Sequence, residues 1–187
     1  MSEKIIPFTY NIKSDKKRAF PLFFALLAIS FAIVILSVIS LKYQGVISLA
    51  AVIGLTASVL VYQRYVTADY GYVVTEGADS LAALLFTKRV GKRVSTMAYL
   101  PLYSIISVQK FTKEQLKQHK TQKGVRKYNF APTLSPDIVY VISSRTGEAE
   151  FEIVIACIPE VADRIWEYAA YAKEDYVRSV NEDEDYE

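Results

Sequence analysis

The 187-residue chain is 52% hydrophobic and 22% charged, with a formal net charge of +2. Its single cysteine, Cys157, excludes a disulfide framework within the chain and any multi-cysteine zinc site. The near-neutral total conceals a segregation: residues 1–127 hold 18 Lys/Arg against 6 Asp/Glu, whereas residues 128–187 hold 4 against 14.

Residues 1–19 form a basic leader with Lys4, Lys13, Lys16, Lys17 and Arg18 against Glu3 and Asp15. Within it Ile6, Phe8, Tyr10 and Ile12 alternate, interrupted by Pro7. That pattern fits a strand added to a later domain and fits a disordered amphipathic leader equally well.

Residues 20–63 carry two charge-free runs, Phe20 to Leu41 and Gly45 to Gln63, separated by Lys42, Tyr43 and Gln44. At about 1.5 Å per residue the first run spans about 33 Å as a helix, enough for a hydrocarbon core of about 30 Å. The second, from about Val46 to Tyr62, lies near the lower limit of about 17 residues. A soluble core hairpin would need a larger domain to cover two helices that are apolar all round. Val38–Ile39–Ser40 makes a poor signal-peptide cleavage site, and the second run would still anchor the chain. The reading is a two-helix transmembrane hairpin.

Cations set its direction. The leader is basic, the connecting loop offers Lys42, and Arg64, Lys88, Arg89, Lys92 and Arg93 follow the second run. The positive-inside rule then places both termini in the cytoplasm of a multi-pass cell-membrane protein. Tyr43, Tyr62 and Tyr65 stand where interfacial aromatics are expected. Ala50, Gly54 and Ser58 repeat at four-residue spacing, as do Ala28 and Ala32, a pattern that lets helices approach within the hairpin or between copies. Neither run contains an ionisable residue, which argues against a transporter built from this chain alone.

Residues 64–176 read as short strands followed by one helix. Tyr70 to Thr75, Leu81 to Phe86, Val94 to Tyr99 and Ile105 to Phe111 are β-branched or aromatic and bounded by turn residues. Lys88 to Arg93 is a basic turn between the second and third. Thr112 to Lys127 is polar and fits a loop or a short solvated helix, and Tyr128 to Phe130 fits a short strand. Ile138 to Ser143 and Glu150 to Cys157 predict a hairpin around Ser144–Gly147, with Phe151, Ile153 and Ile155 on one face and Glu150, Glu152 and Val154 on the other. Pro159 opens a helix whose stripe is Val161, Ile165, Ala169 and Ala172, broadened by Ala162 and Trp166, with its end near Lys173 to Arg178. Residues 177–187 then make an acidic, disordered tail.

The fold class is α+β: a transmembrane hairpin, then a curved sheet or partly open barrel of about seven strands with a C-terminal helix. This layout resembles the bacterial pleckstrin-homology-like domain behind one or two membrane spans. The resemblance rests on Tyr-Val-Val-Thr-Glu-Gly at 72–77, Leu-Pro-Leu-Tyr-Ser-Ile-Ile-Ser-Val at 100–108 and Ile-Pro-Glu-Val-Ala-Asp-Arg-Ile at 158–165, and covers roughly residues 20–175. The chain is also similar to two-span membrane proteins of Gram-positive, clostridial-type bacteria. The resemblance implies an interaction module and transfers no functional residues.

No glycine-rich phosphate loop is present. His119, between Lys117 and Lys120 without a sequence-adjacent carboxylate, reads as a solvated loop histidine, and Cys157 sits among Ile155, Ala156 and Ile158 as a small hydrophobe. Glu148, Glu150 and Glu152 alternate on what reads as a wet face. The chain therefore predicts no catalytic, metal or cofactor site, and an enzyme, with a site assembled near His119 or Cys157, is disfavoured. Lys88, Arg89, Lys92 and Arg93 are the candidate contact with anionic lipid, worth about 1 kcal/mol per cation near an anionic leaflet. Ala50, Gly54 and Ser58 are the candidate helix-packing face. A second basic stretch from Lys110 to Lys127 lacks the aromatic interleaving of a nucleic-acid platform. The expected function is non-catalytic: a cytosolic PH-like domain that docks on anionic lipid or a protein partner, at an unpaired sheet edge in the latter case. The alternative is an accessory subunit of a transporter or envelope complex, assembled through the hairpin or as a homo-oligomer.

Overall fold

The computed structural model describes residues 5–12, 16–39, 44–76, 81–120, 125–133 and 138–184. Lys4, Lys13, the Lys42–Tyr43 loop, Gly77, Lys123, Gly124 and the last three residues of the acidic tail lie outside them. The chain divides into two compact units, one helical and one rich in strands.

The helical unit holds α1 (Lys16–Ile39) and α2 (Gln44–Val61), which runs on as a π-helical segment, Tyr62–Thr67. The first helix begins four residues ahead of the apolar run, so Lys16, Lys17 and Arg18 lie on it. Pro21 is inside the helix and withdraws one backbone donor near its start. The two helices meet along seams of heptad spacing, Phe23–Leu26–Ser30–Ile33–Ser37 and Ile47–Ala51–Gly54–Ser58, where side chains are buried or half-buried. Small residues are what makes this close approach feasible: a Cβ added to Gly54 would lie 2.4 Å from Ser30 Oγ. The seam serines donate into their own helices, Ser30 to Leu26, Ser37 to Val34 and Ser58 to Leu55, each at 2.7 Å. None of these three hydroxyls is left facing an apolar neighbour without an acceptor. Phe23 packs on Tyr62 with ring centroids 5.0 Å apart, and Arg64 lies over Tyr65.

The second unit carries two four-stranded sheets. The first has the order β1 (Phe8–Ile12), β2 (Ala68–Glu76), β3 (Ala82–Val90), β4 (Arg93–Pro101). A 3₁₀ turn, Leu102–Ser104, leads to β5 (Ile105–Thr112), the first strand of a sheet ordered β5-β7-β8-β6. The other members are β6 (Arg126–Asn129), β7 (Ile138–Thr146) and β8 (Ala149–Ile155), with α3 (Lys113–Lys120) between β5 and β6 and α4 (Pro159–Glu184) closing the chain.

Among the described residues, eight strands thus stand where about seven were expected. The leader settles as a strand: β1 pairs antiparallel with β2, Tyr10 opposite Tyr72. The polar segment after β5 contains a helix, α3, and the short strand beyond it pairs parallel with β8, Tyr128 opposite Ile153. Both hairpin turns are tighter than the sequence indicates. Gly91 and Gly147 adopt φ of 59° and 60°, the left-handed conformation that two-residue turns demand, so the strands run on to Val90 and Thr146.

One core unites both sheets and α4. It includes Tyr72, Leu84, Phe86 and Leu100 from the first sheet, Ile105, Ile142, Ile153 and Ile155 from the second, and Val161, Ile165, Ala169 and Ala172 from α4. Trp166 does not join the helix stripe: it is 45% exposed, with the Lys173 ammonium 5.5 Å from its ring, and Tyr168 is buried instead. The helix also extends to Glu184, past the expected end. Tyr176 stacks on Tyr103 at 4.3 Å and Arg178 pairs with Asp175, which support two turns that composition alone assigns to a tail.

Candidate functional site

The four candidate lipid-contacting cations gather at the β3–β4 hairpin end. Only Gly91 and Lys92 form the turn; Lys88 and Arg89 close β3 and Arg93 opens β4. Residues 89 to 94 are all exposed, and among the described residues none of the four cations meets a carboxylate. The register adds what sequence reasoning missed. Val90 is opposite Arg93 on one face and Arg89 is opposite Val94 on the other, with the valines 45% and 56% exposed. Each face of the tip therefore presents an uncovered aliphatic side chain beside a guanidinium. The alternation of Val90 and Val94 across a two-residue turn is the signal that would have found it.

A second feature lies at the open margin of the two sheets. β4 ends the first sheet and β6 ends the second, and a groove of about 550 Å³ runs between them. Its walls are Met97 and Tyr99 from β4, Arg126 and Tyr128 from β6, and Phe151 and Ile153 from β8. Met97 is an extra residue: pairing passes from Phe86–Ala98 to Thr87–Thr96 and leaves it in a bulge.

The third is a polar cluster on the outer face of the second sheet. His119 Nε2 lies 2.7 Å from Glu152 Oε2, with side-chain exposures of 17% and 12%. Lys127 Nζ is 3.5 Å from the same carboxylate and donates to the His119 carbonyl. Leu116 and Phe111 pack below on Val139, Val141 and Val154, so α3 roofs this face. His119 is accordingly not a solvated loop residue, and Glu152 is not on a wet face. Glu152 alternates with Phe151 and Ile153, so the cluster and the groove occupy opposite faces of one sheet. The arrangement fixes the imidazole and ties α3 to β8.

Glu150 pairs with Arg145. Among the described residues no three His, Cys, Asp or Glu side chains gather as a metal site would require. Cys157 is half-buried against the core; burial and then the nearby Asp163 carboxylate push its thiol up to about 12, which keeps it protonated and poorly nucleophilic at neutral pH. On the candidate helix face, Gly54 and Ser58 belong to the α1–α2 seam, whereas Ala50 is exposed and Ala51 takes the buried position beside it. Ala28 and Ala32 are exposed as well.

Compared with known proteins, the chain matches no family model, no curated protein sequence and no solved structure.

Proposed function

We propose that the chain is an integral membrane protein whose two helices cross a bacterial inner membrane and whose strand-rich unit is a non-catalytic, cytosolic, PH-like module that docks on anionic lipid. Two helices long and apolar enough to span a bilayer support the anchoring, and only 11% of each apolar window is buried. The observation that carries the docking is the β3–β4 tip: four cations that meet no carboxylate among the described residues, around two exposed valines. Guanidinium and ammonium groups meet phosphate headgroups while short aliphatic groups enter the acyl boundary, which is how a peripheral contact gains both charge and apolar area.

The test is an environment-sensitive fluorophore on V94C, in a C157S background, with the full-length protein reconstituted in nanodiscs. Nanodiscs containing phosphatidylglycerol should shift the emission to the blue relative to pure phosphatidylcholine, and about 0.5 M salt should reverse the shift. Neutralising Lys88, Arg89, Lys92 and Arg93 to Gln should abolish it. Identical spectra in both lipids would remove the tip from the membrane.

The accessory-subunit reading is less favoured by the geometry. Gly54 and Ser58 are already used within the hairpin, so a partner in the bilayer would meet outward residues such as Ala28, Ala32 and Ala50.

A further inference from the structure

From the groove between β4 and β6 we infer that this protein binds an extended segment of another polypeptide, four to six residues long, with alternate apolar side chains and one carboxylate. The site is separate from the β3–β4 tip, and the inference stands whether or not that tip touches lipid.

The occupant follows from the walls. Both β4 and β6 are last strands of their sheets, so each presents a backbone margin with no strand on it among the described residues. An acyl chain lying there would strip water from those N–H and C=O groups and return no hydrogen bond. A polypeptide strand satisfies them while placing every second side chain into the groove. Met97, Tyr99 and Tyr128 are 48%, 49% and 45% exposed, an apolar lining with no described residue covering it. The charges then select the partner's chemistry. Glu150 at the groove is occupied by Arg145, whereas Arg126, exposed and on the face it shares with Phe151, has no carboxylate partner among the described residues. Among the described residues the groove therefore carries one uncompensated cation, and an acidic side chain in the incoming strand answers it. β6 is 4 residues long, about 13 Å at the usual strand rise, which sets the length of the segment.

The experiment selects phage-displayed random decapeptides on the full-length protein in phosphatidylcholine nanodiscs, then measures the enriched sequences as synthetic peptides. Enriched peptides should alternate β-branched or aromatic residues and carry an Asp or Glu. Their affinity should fall at least tenfold for Arg126→Glu, survive in Arg126→Lys, and fall at least tenfold for Tyr99→Ser. Peptides N-methylated at alternate residues should also lose at least tenfold, because strand pairing needs their N–H groups. Replacing Lys92 and Arg93 with Gln should leave binding unchanged. Arg126 and Tyr99 are exposed, so unchanged thermal midpoints are expected of these variants and are measured alongside. The inference is overturned by a failure to enrich, by equal binding to Arg126→Glu, by equal binding of N-methylated peptides, by oleate displacing the peptide, or by cross-linking of Y99C between copies at concentrations where no peptide is present.

Discussion

The Tyr72 hydroxyl joins the middle of β2 to the residues just past β6 and β8: it donates to the Phe130 carbonyl at 3.3 Å and accepts from the Ala156 amide at 3.1 Å, with the ring fully buried. Burial pushes its ionisation far up from the ordinary phenol range. Tyr72→Phe should cost about 1–3 kcal/mol, since two half-buried backbone groups lose their partner, and urea unfolding of the solubilised protein measures it. Cys157 makes a prediction about pH. Its folded-state pKa is raised from 9.0 to about 12, so between those values the folded chain holds a proton that the unfolded chain releases. Stability contributed by the protonated thiol is complete below pH 9 and is lost as pH rises toward 12. Wild type should therefore lose more stability than Cys157→Ala across that window, and parallel loss in both would remove the thiol from the account. Tyr72, raised for the same reason of burial, acts in the same direction above pH 10.

At the scale of elements, what was legible was what depends on local pattern. The two apolar runs, the β2, β3, β4 and β5 segments, the β7–β8 hairpin and the start and stripe of α4 can all be read from period and turn residues. What was not legible depends on long-range pairing. A short strand is legible at Tyr128 to Phe130, but β6 pairs parallel with a strand more than 20 positions later, a partner that no local period encodes. The same holds for His119 and Glu152, 33 residues apart. A faint signal existed: His119 lies three residues after Leu116, and Glu152 shares its face with Val154, so both point to a covered surface rather than a wet one. His119→Ala should loosen α3 without unfolding the sheets. Amide exchange in residues 113–120 should rise severalfold, while the β7–β8 amides keep their protection. In the hairpin, Gly54→Leu should weaken α1–α2 packing by about 2 kcal/mol through overpacking against Ser30, whereas Gly45→Leu, with open space around it, should not. Gly54→Ser alone should also lose stability, and the S30G/G54S exchange should restore most of that loss, as read by thermal unfolding in detergent.

At the scale of the whole molecule, the charge segregation and the apolar runs belong to one account. A basic first two thirds surrounds the two apolar helices, while the acidic last third contains α4 and carries few cations to hold at an anionic surface. Proposed orientation, lipid contact at the β3–β4 tip and access of a peptide to the groove all require the strand-rich unit to sit on the cytoplasmic side. Cysteine accessibility in intact cells tests this directly, using single cysteines at Gln44 and Lys92 in a C157S background and a membrane-impermeant maleimide. The account predicts that position 44 labels from outside and that position 92 labels only after the membrane is permeabilised. Labelling at 92 in intact cells, or release of the full chain from membranes by alkaline carbonate, would contradict it.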